Sequence, residues 1–190
     1  GSATLNGGNS YTGGTNVTSG GSVSINSATS LGAASSQLTL DNGTLATTNA
    51  GLLTNGARVI NIGSGGATIN INSTGSAGTG QLFLNTNNTL AGSGALTVTG
   101  NGTLGTSGAG NLRITGTNSF NGPITLQSGG SLELSANSIS SSSAITLGNE
   151  GELIVNNAVN LPNNVTVNGG TNSVISFNGG TTGNLTGSVT

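Results

Sequence analysis

The 190-residue chain contains no lysine, histidine, cysteine, methionine or tryptophan. Without cysteine there is no disulfide framework. Without histidine or cysteine, and with a single aspartate at Asp41, no metal-ligating cluster or glycine-aspartate calcium repeat is present in the sequence, and neither cofactor nor metal is implied. Charged residues make up 3% of the chain, against about 25% in typical soluble proteins. The full set is Asp41, Arg58, Arg113, Glu133, Glu150 and Glu152. Two arginines are too few to displace counterions from a phosphate backbone, so nucleic acid is not an expected partner. No apolar run approaches the roughly 20 residues of a membrane-spanning helix, which argues against membrane insertion. Gly1 onward lacks the basic start and apolar core of a signal peptide. The expectation is a mature segment cut from something longer, read as a single domain over residues 1–190.

Low charge combined with regularly placed Val, Ile and Leu does not fit a disordered chain, which depends on high net charge and few branched aliphatics. Collagen would need glycine at every third position and abundant proline, and proline occurs only at Pro123 and Pro162. The chain is made instead of Gly, Ser, Thr and Asn, which are poor in helix interiors. Into this background apolar residues enter at every second position, as in "QLTL" at 37–40, "VINI" at 59–62, "QLFL" at 81–84 and "PITL" at 123–126. Such alternation predicts strands with one buried face.

The strands recur as a unit. An alternating strand is followed by a Gly- or Asn-bearing turn, a small residue, and then Leu or Val. The turn residue before the next strand falls at Gly21, Gly43, Gly66, Asn88, Gly110, Gly130, Gly151 and Gly170, with spacings of 22, 23, 22, 22, 20, 21 and 19. Asn88 fits the series because asparagine tolerates positive φ better than most residues. A Gly102–Leu104 unit adds a further turn and strand inside 95–110. A period of about 21 residues is that of one solenoid coil, whose apolar face is buried only by the coils above and below. This predicts an all-β parallel β-helix (β-solenoid) of about nine coils of about 21 residues, a rod of roughly 43 Å at about 4.8 Å per coil.

The period also assigns the interior. Before each turn stand Leu38 and Leu40, Ile60 and Ile62, Leu82 and Leu84, Ile124 and Leu126, Ile145 and Leu147, and Val165 and Val167. Val17 also faces inward. After the turn stand Val23, Leu45, Leu112, Leu132 and Leu153. Arg113 and Glu133 each stand third after their turn marker. They are therefore expected to be vertical neighbours on the outer face, forming an exposed ion pair of about 0–1 kcal/mol.

Residues 3–47, and again 111–135, resemble the passenger-associated repeat of bacterial autotransporters. Leu5, Asn9, Tyr11, Gly13, Thr15, Val17 and Val23 fill the family's pattern in the first copy. Asn118, Phe120, Gly122, Ile124, Leu126 and Leu132 fill it in the second, with Pro123 as a departure. The resemblance implies a right-handed parallel β-helix that is secreted and displayed on a Gram-negative cell surface.

Three functions are weighed. The favoured one is structural, a rigid extracellular stalk, fibre or adhesin passenger segment without enzymatic activity, its expected ligands host or biofilm surface glycans. The second is the subunit of an extracellular filament, self-associating end to end through its terminal coils. The third is a carbohydrate-binding or carbohydrate-cleaving β-helix, which needs clustered carboxylates in a groove. Glu133, Glu150 and Glu152 are the only candidates for that chemistry and read as solvated surface charge. An outward column of Thr39, Thr125, Thr146 and Thr166, the start of an ice-binding array, is attributed to β propensity. Its neighbouring column, Asp41, Gln127, Gly148 and Asn168, is not threonine. Asparagines at recurring turns are read as stacked amide ladders.

Overall fold

The computed structural model describes residues 1–48, 53–54, 56–72, 80–101, 110–135, 138–156, 160–168, 170, 172–178 and 184–190. Among these the chain is all-β apart from one short 3-10 turn at Ala28–Leu31. Every strand pairing described is parallel and joins segments far apart in the chain, the signature of a coil stacked on the next. The result is a β-solenoid of about seven turns.

Three faces enclose the core. Face A stacks eight strands: Ser2–Leu5, Ser22–Ile25, Gly43–Thr47, Ala67–Ile71, Leu96–Gly100, Ile124–Leu126, Ile145–Leu147 and Val165–Val167. Face B stacks Thr15–Thr18, Leu38–Asp41, Ile60–Ile62 and Leu90–Gly92. Face C stacks Leu53–Thr54, Leu82–Leu84, Asn111–Ile114, Ser131–Leu134, Glu152–Asn156 and Val174–Asn178. Beyond Gly92 the side held by face B is continued mainly by loops. The Asn121 amide donates to the Gly92 carbonyl and the Ser140 amide to that of Phe120, so Phe120, Ile139 and Leu161 enter the same core. A short pairing of Asn160–Leu161 with Asn184–Leu185 closes this side.

Alternation explains the interior. Inward-facing Leu, Ile and Val from all three faces form one continuous apolar cluster. Each such side chain contributes about 1.5–3 kcal/mol by leaving water. Every core position named from the sequence is buried except Val167, which is 42% exposed. The register explains this correction. Val189 bridges to Val165, and no described side chain covers Val167 in the same way.

The coil length is not uniform, which corrects both the count of nine and the assignment of columns. On face A the step from Ala3 to its partner Val23 is short, but the step from Ile69 to its partner Val98 is nearly half as long again. The steps from Ile60 to Leu90 on face B and from Leu82 to Leu112 on face C are long in the same way. A marker that keeps to the shorter repeat through such coils slips round by one face. Gly21, Gly43 and Gly66 therefore lead into face A, Asn88 into face B, and Gly110, Gly130, Gly151 and Gly170 into face C. Leu38, Leu40, Ile60 and Ile62 do stack on face B. Leu82 and Leu84 stand on face C, and Ile124, Leu126, Ile145, Leu147 and Val165 on face A. After the turn, Val23 and Leu45 belong to face A, whereas Leu112, Leu132 and Leu153 belong to face C. The Gly102–Leu104 unit lies outside the described residues.

Two physical demands set the turn residues. Asn88 takes the left-handed region itself, at φ 59°. At Gly43 and Gly151 the left-handed residue is the one before, Asn42 at φ 54° and Glu150 at φ 56°. There the glycine is required by space, because a Cβ would collide with the carbonyl oxygen of Val17 or Leu126 in the preceding coil.

Candidate functional surfaces

Three of the charged residues, Arg113, Glu133 and Glu152, lie on the outer side of face C. Arg113 pairs in register with Phe83 below and Glu133 above, and Glu133 with Ile154. Arg113 Nε lies 3.2 Å from Glu133 Oε1, an ion contact rather than an aligned hydrogen bond. Its guanidinium carbon sits 4.7 Å from the Phe83 ring centroid, within cation–π range. The pair is thus vertical, but it is not exposed. The Arg113 side chain is 32% accessible and that of Glu133 only 3%. The exposed-pair value of about 0–1 kcal/mol does not apply to such a site.

Glu152 is 1% exposed, so the reading of Glu133 and Glu152 as solvated charge is corrected for both. The neighbouring outward column is buried too, with Ser131 against Glu152 in register. Ser131 Oγ donates to Glu152 Oε2 at 3.2 Å, and Ser176 Oγ to Glu152 Oε1 at 3.3 Å. Asn156 Nδ2 donates to Glu133 Oε1 at 2.5 Å. These hydrogen bonds replace water at both oxygens of Glu152 and at Oε1 of Glu133, whose buried Oε2 has no hydrogen-bond partner among the described residues. Ile154 faces the same way and is buried outside the central apolar cluster, so this stretch of face C is covered on both sides. The continuous run Leu153-Ile154-Val155 is the sequence signal for that, since a strand with one wet face alternates.

Glu150 does not join them. It occupies an exposed turn between face A and face C. The three carboxylates therefore form no open triad. Their side chains line none of three surface cavities, of about 250, 140 and 410 Å3. Among the described residues no group of three or more acidic, histidine or cysteine side chains is placed to hold a metal.

A site missed in the sequence is Arg58. It is 2% exposed and points at backbone oxygens. Nη1 donates to the carbonyls of Leu31 and Ser36, both at 2.8 Å, and Nη2 to those of Gly32 at 3.1 Å and Ala28 at 3.3 Å. The cation thus ties down the loop that carries the 3-10 turn, through charge-assisted bonds of about 1.5–3 kcal/mol each. Burial lowers the guanidinium's pKa below its ordinary value, and nearby Tyr11 offsets part of this. Nothing in "GARVINI" signals the arrangement, because its partners lie a full coil or more earlier in the chain.

The turn asparagines bond mainly to backbone of adjoining coils rather than to one another. Asn118 Oδ1 accepts from the amides of Thr89 and Leu90 at 2.8 Å, while its Nδ2 donates to the carbonyls of Gly116 and Ser138. Asn163 Nδ2 donates to the carbonyls of Ser140 and Ser143. Among the described residues only Asn184 and Asn160 show an amide-to-amide contact, at 3.4 Å. Phe120, equivalent to Tyr11 in the repeat, is fully buried, whereas Tyr11 is 37% exposed and its hydroxyl meets Thr15 Oγ1 at 2.9 Å.

The threonines also regroup. Thr39 stands on face B, pairing with Asn16 and Asn61. Thr125, Thr146 and Thr166 stand on face A, where the layers before them supply Thr44, Thr68 and Thr97. The open 250 Å3 cleft borders this row at the corner of faces A and B, floored by Gly43, Gly66 and Ala67. No family model matches the chain, and no curated protein or solved structure does either.

Proposed function

We propose that the chain is a non-catalytic, rigid spacer of a secreted bacterial surface structure, of the autotransporter-passenger kind that its repeats resemble, and one solenoid domain. Right-handed winding follows from the general preference of parallel strand crossovers. The observation that carries this reading is the unbroken parallel register of face A from Ser2 to Val167. Eight strands at about 4.8 Å make a rod segment of roughly 34 Å. It is stabilised along its whole length by the same two elements, backbone ladder and aliphatic column. Few charges and a paucity of basic residues leave trypsin-like proteases little to cut, since Arg58 is buried and Arg113 lies within a strand. Pulling single molecules between Ala3 and Val189 tests it. A spacer resists extension and yields coil by coil, whereas extension at low force without discrete steps would refute the proposal.

A second reading, end-to-end stacking, is favoured by the two outermost layers. A cavity of about 410 Å3 opens at the Gly1–Leu5 edge, lined by Ala3, Leu5, Val17 and Val23. The opposite end shows Val167, Phe177 and Val189 as exposed apolar residues. Either layer is suited to receive another coil. Electron microscopy of the purified protein separates the readings, as fibres of uniform width support stacking and discrete short particles exclude it.

A further inference from the structure

A full coil visits face A, then face C, then face B, as Gly43–Thr47, Leu53–Thr54 and Ile60–Ile62 do. The path climbs one strand spacing, about 4.8 Å, per circuit. An end of such a rod is therefore a step, not a flat disc. At one end the outermost strand is Ser2–Leu5 on face A, and Thr15–Thr18 on face B sits about two-thirds of a spacing further in. The cavity of about 410 Å3 is the space under that step, lined by Ala3, Leu5 and Val17. At the other end residues 188–190 begin a further layer of face A, the amides of Val165 and Val167 donating to the carbonyls of Ser188 and Thr190. Beside them the edge of Val174–Asn178 on face C is left one step lower, with Phe177 and Val189 exposed.

Neither step is guarded. Sheet edges are ordinarily protected by charge, proline or a bulge. Here Asp41 is the first charged side chain and Glu152 the last, and no end strand contains proline. Among the described residues no strand pairs with the outer edge of Ser2–Leu5 or of Val174–Asn178. The two steps fit each other without a gap in one way. Set straight over face A of another copy, Ser2–Leu5 would rest on residues 188–190 and hold the rest of its coil one spacing away from face C. Turned by one face, it lies parallel along Val174–Asn178 instead. The inward side chains then continue the columns, Ala3 above Ile175 and Leu5 above Phe177. Residues 188–190 enter the cavity under Thr15–Thr18, which brings Val189 beneath Val17. One coil of about 20 residues is covered on each copy, the low end of the 20–30 per side of a stable interface. The contact joins unlike ends, so it does not close and builds a filament.

We infer that copies of this chain join head to tail with face A of one seated on face C of the next, a turn of about a third of a revolution at each junction. This rests on the end-to-end reading and adds to it the mating strands and the rotation. The chain has no cysteine, so introduced pairs report the junction. Thr4→Cys with Ser176→Cys sets two outward thiols side by side across the turned junction, and Ser2→Cys with Thr190→Cys does so across an unturned one. Circular dichroism confirms that each variant is folded. The expected result is oxidised ladders of linked chains from the first pair and none from the second. Electron cryomicroscopy should show fibres that rotate by about a third of a revolution per chain, and Phe177→Lys should leave folded, discrete particles. Fibres without rotation, linked by the second pair alone, would overturn the turned junction and leave end-to-end stacking standing. Fibres that persist in Phe177→Lys would also overturn it. Discrete wild-type particles with neither link would overturn both.

Discussion

Faces A and C have the same backbone and the same inner residues, yet their outer sides are opposites. Face A carries uncharged polar residues, including a half-buried row of threonines. Face C carries two carboxylates, a guanidinium and hydrogen-bonding Ser and Asn in a row that is almost completely buried. The difference teaches how a chain with so few charges uses them. They are not spread for solubility. Glu133 and Glu152 sit where water is largely excluded, with Arg113 at the margin, and their partners are specified. The uncharged row remains where water is present.

The largest effect expected from this contrast is on the Arg113–Glu133 pair. Arg113→Ala removes the cation beside buried Glu133, so it should cost about 3 kcal/mol, the low end for breaking a buried pair because Arg113 is partly accessible. Replacing both, Arg113→Leu with Glu133→Leu, should recover most of the loss. Urea unfolding midpoints decide it, and additive losses in the double variant would contradict the burial described. Next in size is Ser131→Ala, which removes a donor from buried Glu152 and should cost about 1–3 kcal/mol by the same measurement. The smallest change is expected on face A. Thr125→Val keeps the β-branched shape in an accessible position and should shift stability by no more than about 0.5 kcal/mol. A larger loss there would mean that the threonine row supports the fold as much as face C does.

Local signals were readable in the sequence, and of the long-range ones only those that cross a short coil. Alternation in "QLTL" and "VINI" identifies strands and their inner residues, because burial on one face needs only a period of two. Glycine after Asn42 marks a corner for reasons contained in a few residues. The vertical alignment of Arg113 with Glu133 also followed from spacing, since the coil between them is one of the short ones. The placing of Leu84 above Ile62 failed, because the coils between Ile60 and Leu112 are the long ones and a marker spaced by the shorter repeat falls out of step there. The burial of Glu152 and the carbonyl cage around Arg58 depend on segments distant in the chain, and no local pattern encodes them.

The unequal coils carry one more consequence. All three sides line the interior with similar aliphatic residues, and each long coil returns to the same side in register, so its extra length leaves the packing and everything downstream in place. Such a shaft can accept a longer connection at one level and still hold every decoration beyond it to the same bearing, with no redesign of its inside.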